Sequence, residues 1–191
     1  MDQAFQKAIQ ATVEVLRRGG VILYPTDTVW GLGCDATNSA AVRRLEEIKQ
    51  RPAGQPMLLL LESEAKLPYY VQEVPPIAYD LIDAAVRPLT LIYPGARRIA
   101  PELPAADGSI GIRITREEVS AALCAALRAP LVSTSANISG HPTPQNFAQI
   151  EEELKAKVDY IVPLRQDEPA NPTPSEIIKI GTGGQVTLIR S

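Results

Sequence analysis

Histidine is almost missing from this chain: His141 is the only one in 191 residues. That nearly excludes a histidine-rich metal site, and any Ser-His-Asp triad would have to be built on His141. A lone histidine directly after a glycine is more often a surface residue than a base, so no chemistry is assigned to it. Cysteine is scarce as well. Cys34 and Cys124 lie far apart and match no metal-ligand spacing, so both read as buried reduced thiols. There is no long apolar run, since the longest, Met57 to Leu61, is strand-sized. The N-terminus, MDQAFQKAIQ, reads as neither signal peptide nor membrane helix. These absences point to a reducing cytoplasm and to no membrane partner. An excess of positive charge is lacking too: the net charge is −3 and the pI about 5.3. A protein that grips RNA over a wide surface usually carries such an excess. Arginine pairs at 17–18, 43–44 and 97–98 leave room for a local basic patch, but each also reads as a solvated face.

What is present describes a globular chain. Apolar residues make up 45%, and the length suits one domain spanning 1–191. Phe5, Ile9, Val13 and Leu16 recur at helical spacing, predicting a helix over 4–18 that Gly19 and Gly20 end. VILY (21–24) reads as a buried strand and PTDTVWGLGCDA (25–36) as a loop. Asn38 or Ser39 can cap a second helix, which KQRPAGQP (49–56) breaks. MLLLL (57–61) has the pattern of a strand covered on both faces. A helix is predicted over 76–86 and a strand over 89–93. SIGIRI (109–114) alternates as a strand with one polar face. Thr115 and Glu118 suggest a capping box for the helix carrying Val119, Leu123 and Leu127. PLVSTS (130–135) and VDYIVP (158–163) read as strands around a short helix near 146–156. RQDEPANPTP (165–174) reads as a mobile loop, and SEIIKI with QVTLIR as a terminal hairpin. Strands and helices mix without strict alternation, which predicts an α/β or α+β domain with a mixed sheet.

Four segments hold more polar detail than folding needs. Pro25 to Gly33 follows a strand, where open α/β sheets place ligand loops. It lacks the G-K-[ST] ending of a P-loop, and a plain turn explains it equally well. Lys49 and Arg51 end a helix, where cations complement the helix dipole; a point charge and a fork also suit a triphosphate. Ser109, Gly111 and Arg113 share one strand face by period two, and Arg113 could pair with a carboxylate. Ser133 to Gly140 offers hydroxyls and an amide for a polar ligand, or a cluster of turns.

In series, the runs YPTDTVWGLGCDA, IKQRP, RPLTLIYPG, SIGIRI, PLVSTSANISG and PSEIIKI…LIR resemble the Sua5/YrdC/YciO family over about Gly19 to Arg190. The resemblance implies a twisted mixed sheet around a concave, basic cavity. It implies synthesis of threonylcarbamoyl-AMP from L-threonine, bicarbonate and ATP, with Mg²⁺ accompanying the nucleotide and no metal ligand from the protein. In that reaction the amine of threonine is carboxylated, and the carbamate oxygen attacks the α-phosphate. The product would pass to a threonylcarbamoyl transferase complex acting on adenosine 37 of tRNA. A basic cavity also implies weak tRNA or double-stranded RNA binding, which the net charge argues against as a broad grip.

Carried over by residue, Lys49 and Arg51 would contact the nucleotide phosphates and stabilise the transition state. Thr28, Arg113, Ser135 and Ser175 would hold threonine, with Arg113 on its carboxylate. Ser109, Asn137 and Arg190 would contact the nucleotide. Leu60 stands where long members carry a histidine, and Ala85-Val86-Arg87-Pro88 stands closer to the YciO branch. A YciO-like paralogue with an ATP-type pocket is therefore the second reading, and a non-catalytic RNA-binding module the third. The sequence stops just after Arg190, so the extra C-terminal domain of long Sua5 proteins is expected to be absent.

Overall fold

The computed structural model describes residues 2–52, 54–169 and 174–191. Among them nine strands form one sheet: β1 (Ile22–Tyr24), β2 (Gly31–Gly33), β3 (Leu58–Leu61), β4 (Leu89–Tyr93), β5 (Ile110–Ile114), β6 (Leu131–Ser135), β7 (Tyr160–Ile161), β8 (Glu176–Ile180) and β9 (Val186–Arg190). Their spatial order is β7-β1-β2-β6-β3-β5-β4-β8-β9, with parallel and antiparallel neighbours mixed. Six helices accompany them: α1 (Gln3–Arg17), α2 (Ser39–Lys49), α3 (Leu67–Tyr70), α4 (Pro76–Ala84), α5 (Glu118–Leu127) and α6 (Glu152–Lys157). None of the described helices is long and apolar enough to cross a membrane.

Strand alternation divides the core in two. Leu23, Leu32, Leu59, Leu61, Leu91, Ile112 and Val132 point to one face and pack with Val42, Leu45 and Ile48 of α2 and Ala78 and Ile82 of α4. The opposite side chains, Ile22, Tyr24, Leu60 and Leu131, pack under Ile9, Val13 and Leu16 of α1 and Val119 and Leu123 of α5. Those two helices cover only part of that face. The rest of it, toward β4, β8 and β9, lines open cavities.

Several local expectations need correction. Gly31–Gly33 is strand rather than loop, pairing with β1 and β6. Its glycines conceal it, since they carry no strand propensity, but packing demands them. A methyl at Gly33 would meet Tyr24 Cε1 and Val132 O, each at 2.8 Å. The capping box of Thr115 and Glu118 does not form. Glu117 caps α5 instead, accepting from Val119 N at 2.9 Å and Ser120 N at 2.7 Å, while Thr115 Oγ1 accepts from Glu117 N. Asn38, not Ser39, caps α2 by accepting from Ala41 N at 3.1 Å. The helix near 146–156 is a 3-10 turn (Phe147–Gln149) followed by α6. A 3-10 turn at Glu64–Lys66 leads into α3, neither of which the periodicity announces. Of loop 165–174, residues 170–173 lie outside the described residues.

Candidate active site

A cavity of about 620 Å³ opens on the uncovered part of the sheet. Three arginines, Arg51, Arg113 and Arg190, line it among hydroxyl and amide side chains that include Thr28, Ser133, Ser135, Thr143, Gln145 and Ser175. No carboxylate belongs to its described lining. An adjoining apolar cavity of about 560 Å³ shares Pro56, Leu58 and Ile177 with it. Met57, Ala105 and Ser109 also line this second space.

The end of α2 explains how Lys49 and Arg51, two residues apart, reach different places. Gln50 takes the left-handed conformation, φ 51° and ψ 41°, and Arg51 N then bonds back to Glu46 O at 2.9 Å. Lys49 stays on the inner side of the helix, only 2% exposed. Its Nζ donates to Ser135 O at 2.6 Å, Asn137 O at 2.9 Å and Asn137 Oδ1 at 3.2 Å, with Ser135 Oγ at 3.4 Å. The ammonium therefore ties together the turn that carries Ser135 and Asn137, behind the cavity wall. Burial, with Arg51 nearby, lowers its pKa to about 8. Arg51 leaves the helix toward the cavity, donating to Pro56 O at 2.9 Å. Burial lowers its pKa as well.

Arg113 rises from β5 and is 4% exposed. Its Nε donates to Thr90 Oγ1 at 3.3 Å and its Nη1 to Asp27 Oδ1 at 2.6 Å. Thr28 belongs to a tight turn in which Thr26 Oγ1 accepts from Thr28 N at 3.1 Å and donates to Val29 O at 2.7 Å. Arg190 lies on β9. Its guanidinium donates to Ser175 O at 2.9 and 3.1 Å and to Ser175 Oγ at 3.0 Å, joining two residues expected at opposite ends of the substrate set. Ser109 lies over the apolar cavity. Its hydroxyl donates to Asp107, whose carboxyl is held below its usual range by Lys179 and Ser109. Asn137 Nδ2 donates to Ile138 O and His141 O, so the amide is used within the wall.

Of the nine residues singled out in the sequence, Thr28, Arg51, Arg113, Ser135, Ser175 and Arg190 thus line the main cavity. Ser109 lines its neighbour, while Lys49 and Asn137 stand behind the wall. Asp27 and Arg165 escaped the sequence reading. Asp27 orients Arg113, and Arg165 Nη1 donates to Thr26 O at 3.3 Å and to Glu117 Oε1 at 2.9 Å, which latches the threonine-rich turn to the cap of α5. His141 pairs with Glu151 at the surface. Cys34 and Cys124 are buried, and burial raises both thiol pKa values, that of Cys124 to about 12.

The described lining, three arginines among hydroxyls and amides, suits charge stabilisation and positioning. A family model for Sua5, YciO and YrdC proteins, described as "Telomere recombination", matches residues 14–191. The chain belongs to the Sua5/YciO/YrdC family. Curated family relatives include the threonylcarbamoyl-AMP synthase of Thiobacillus denitrificans, 38% identical over 172 residues and 88% of each chain. The enzyme of the same name from Halorhodospira halophila is 36% identical over 160 residues, 83% of this chain and 84% of that one. Among solved structures, P. abyssi Sua5 complexed with L-threonine overlays with a TM-score of 0.83 at 28% identity, covering 95% of this chain and 53% of that chain. The chain therefore spans about half the length of that Sua5. E. coli YciO overlays with a TM-score of 0.82 at 28% identity, covering 97% and 89%.

Proposed function

We propose that this chain is a threonylcarbamoyl-AMP synthase, using L-threonine, bicarbonate and ATP. The observation that carries the reading is the cavity itself, lined by three arginines, hydroxyls and amides beside an apolar space. Its size and chemistry suit an amino acid and a nucleotide side by side. Threonine enters with its carboxylate on Arg113. Its amine attacks the carbon of bicarbonate, water leaves as the C–N bond forms, and the resulting carbamate oxygen attacks the α-phosphate. A P–O bond forms there as the bond to pyrophosphate breaks, so no protein nucleophile is required. Arg51 neutralises charge on the phosphates, and Lys49 holds Ser135 and Asn137 in place. The adenosine end occupies the apolar cavity, next to Ser109, while Arg190 lines the main cavity that shares Ile177 with it.

ATP is expected as its Mg²⁺ complex. The phosphates themselves would carry the ion, as they commonly do for nucleotide-bound Mg²⁺. Mg²⁺ supplies charge neutralisation on the leaving pyrophosphate. The mixed anhydride product would go to a threonylcarbamoyl transferase complex acting on tRNA, in a cytoplasm that keeps both thiols reduced. Weak contact with tRNA or double-stranded RNA accompanies this reading as a proposal.

Incubation with ATP, L-threonine and ¹³C-bicarbonate should give an adenylate whose mass carries the label. An unlabelled product, or none, would oppose the reading. A YciO-like activity, weak or on another substrate, has two observations in its favour, the nearly full-length overlay on YciO and the Ala85-Val86-Arg87-Pro88 stretch. Serine or other amino acids replacing threonine in that assay would reveal it.

The Lys49 ammonium also predicts a pH profile. Its lowered pKa, about 8, means that the charge tying Ser135 to Asn137 is lost as pH rises through that value. The value of kcat/KM for ATP, which reports the free enzyme, should be level below neutrality and fall about tenfold per pH unit above about 8. Lys49→Arg should move that fall upward. A flat profile to about pH 9.5 would contradict the role given to the ammonium.

A further inference from the structure

Tyr24 ends β1 on the sheet face that carries the cavity, and none of it is exposed. Its hydroxyl is buried, makes no hydrogen bond of good geometry among the described residues, and has the Ser133 side chain as a hydrogen-bonding neighbour. The polar groups around it are the side chain of Ser133, the Arg113–Asp27 pair and the Cys124 thiol. Ser133 and Arg113 line the main cavity. The ring edge passes beneath β2, where a methyl at Gly31 would lie 3.3 Å and one at Gly33 2.8 Å from Tyr24 Cε1. Gly31 also lines the cavity. Two glycines thus make room for a ring whose tip ends under the cavity floor. An unpaired buried hydroxyl is costly, and phenylalanine would give the same packing without that cost.

We propose that the Tyr24 hydroxyl is a positioning group for the amino-acid substrate. It donates to Ser133 Oγ when a ligand fills the cavity. A serine hydroxyl has one proton and two acceptor positions. With Tyr24 donating from below, the proton of Ser133 turns toward the cavity, to an anionic oxygen of the bound amino acid. This inference rests on the synthase reading, because it takes the ligand at this end of the cavity to be threonine.

Calorimetric titration of L-threonine into the full chain, its Tyr24→Phe and Ser133→Ala variants and the double variant tests the inference, with thermal denaturation of each. Tyr24→Phe should weaken threonine binding about tenfold, the loss of one hydrogen bond, at an equal or higher Tm. Ser133→Ala should weaken it similarly, and the double variant should bind no worse than Ser133→Ala alone. An unchanged Kd in Tyr24→Phe, a lowered Tm, or losses that multiply in the double variant would each overturn the inference and leave the synthase reading intact. Failure of the unmodified chain to bind threonine would remove that reading and the inference with it.

Discussion

Replacing Lys49 by alanine is expected to lower turnover by about two to three orders of magnitude, as when a preorganised charge is removed from a polar transition state. The physical reason differs from a simple contact with phosphate. The ammonium is 2% exposed and engages four oxygens of Ser135 and Asn137. Its loss removes the ammonium donor from Asn137 O, leaves Ser135 O with the Asn137 N–H alone, and frees the turn that shapes one wall of the site. Stability should therefore fall as well, by about 3 kcal/mol, given about 1–3 kcal/mol for each buried group left unpaired. In a chain of this size that is a drop in Tm of about 6–12 °C. Lys49→Met keeps most of the packing volume without the charge. It should stay folded at assay temperature and still lose turnover, read by pyrophosphate release beside thermal denaturation. Near-normal turnover in Lys49→Met would move the site elsewhere. Arg51→Ala, which loses a cation on the cavity wall and no buried hub, should lose turnover with little change in Tm.

Arg113→Ala should raise KM for threonine by about a hundredfold, in line with losing a charged, two-pronged contact to a carboxylate. KM for ATP should move far less, because the proposed nucleotide end lies toward Ser109 and the apolar cavity. The guanidinium is preset for this work by Asp27 at 2.6 Å and Thr90 at 3.3 Å. Arg113→Lys keeps the charge and loses the fork, so it should recover only part of the affinity. Steady-state kinetics with each substrate varied in turn checks both variants. A change confined to KM for ATP would place Arg113 at the nucleotide end and reverse the assigned orientation.

The legible and illegible parts of this molecule separate by range. Strands such as LTLIY and IGIRI declare themselves by apolar runs or alternation, and the polar face of the latter correctly carries Arg113 into the cavity. β2 does not declare itself, because its sequence is Gly-Leu-Gly and its reason is a ring on the neighbouring strand. The end of α2 is readable, but the divergence of Lys49 and Arg51 depends on the left-handed conformation of a glutamine, which favours no such prediction. Asp27 and Arg165 are ordinary loop residues until their partners, 86 and 139 positions away, are brought to them. The family resemblance names the candidate site residues. It does not separate those that line the cavity from those that brace it.

The central claim is tested most directly by pyrophosphate release from ATP with bicarbonate, with and without L-threonine, and with serine as the control. Release that depends on threonine, and is much weaker with serine, is the predicted result. A folded chain that binds ATP yet releases no pyrophosphate on addition of threonine would contradict the synthase assignment and direct the search to another substrate for the same cavity.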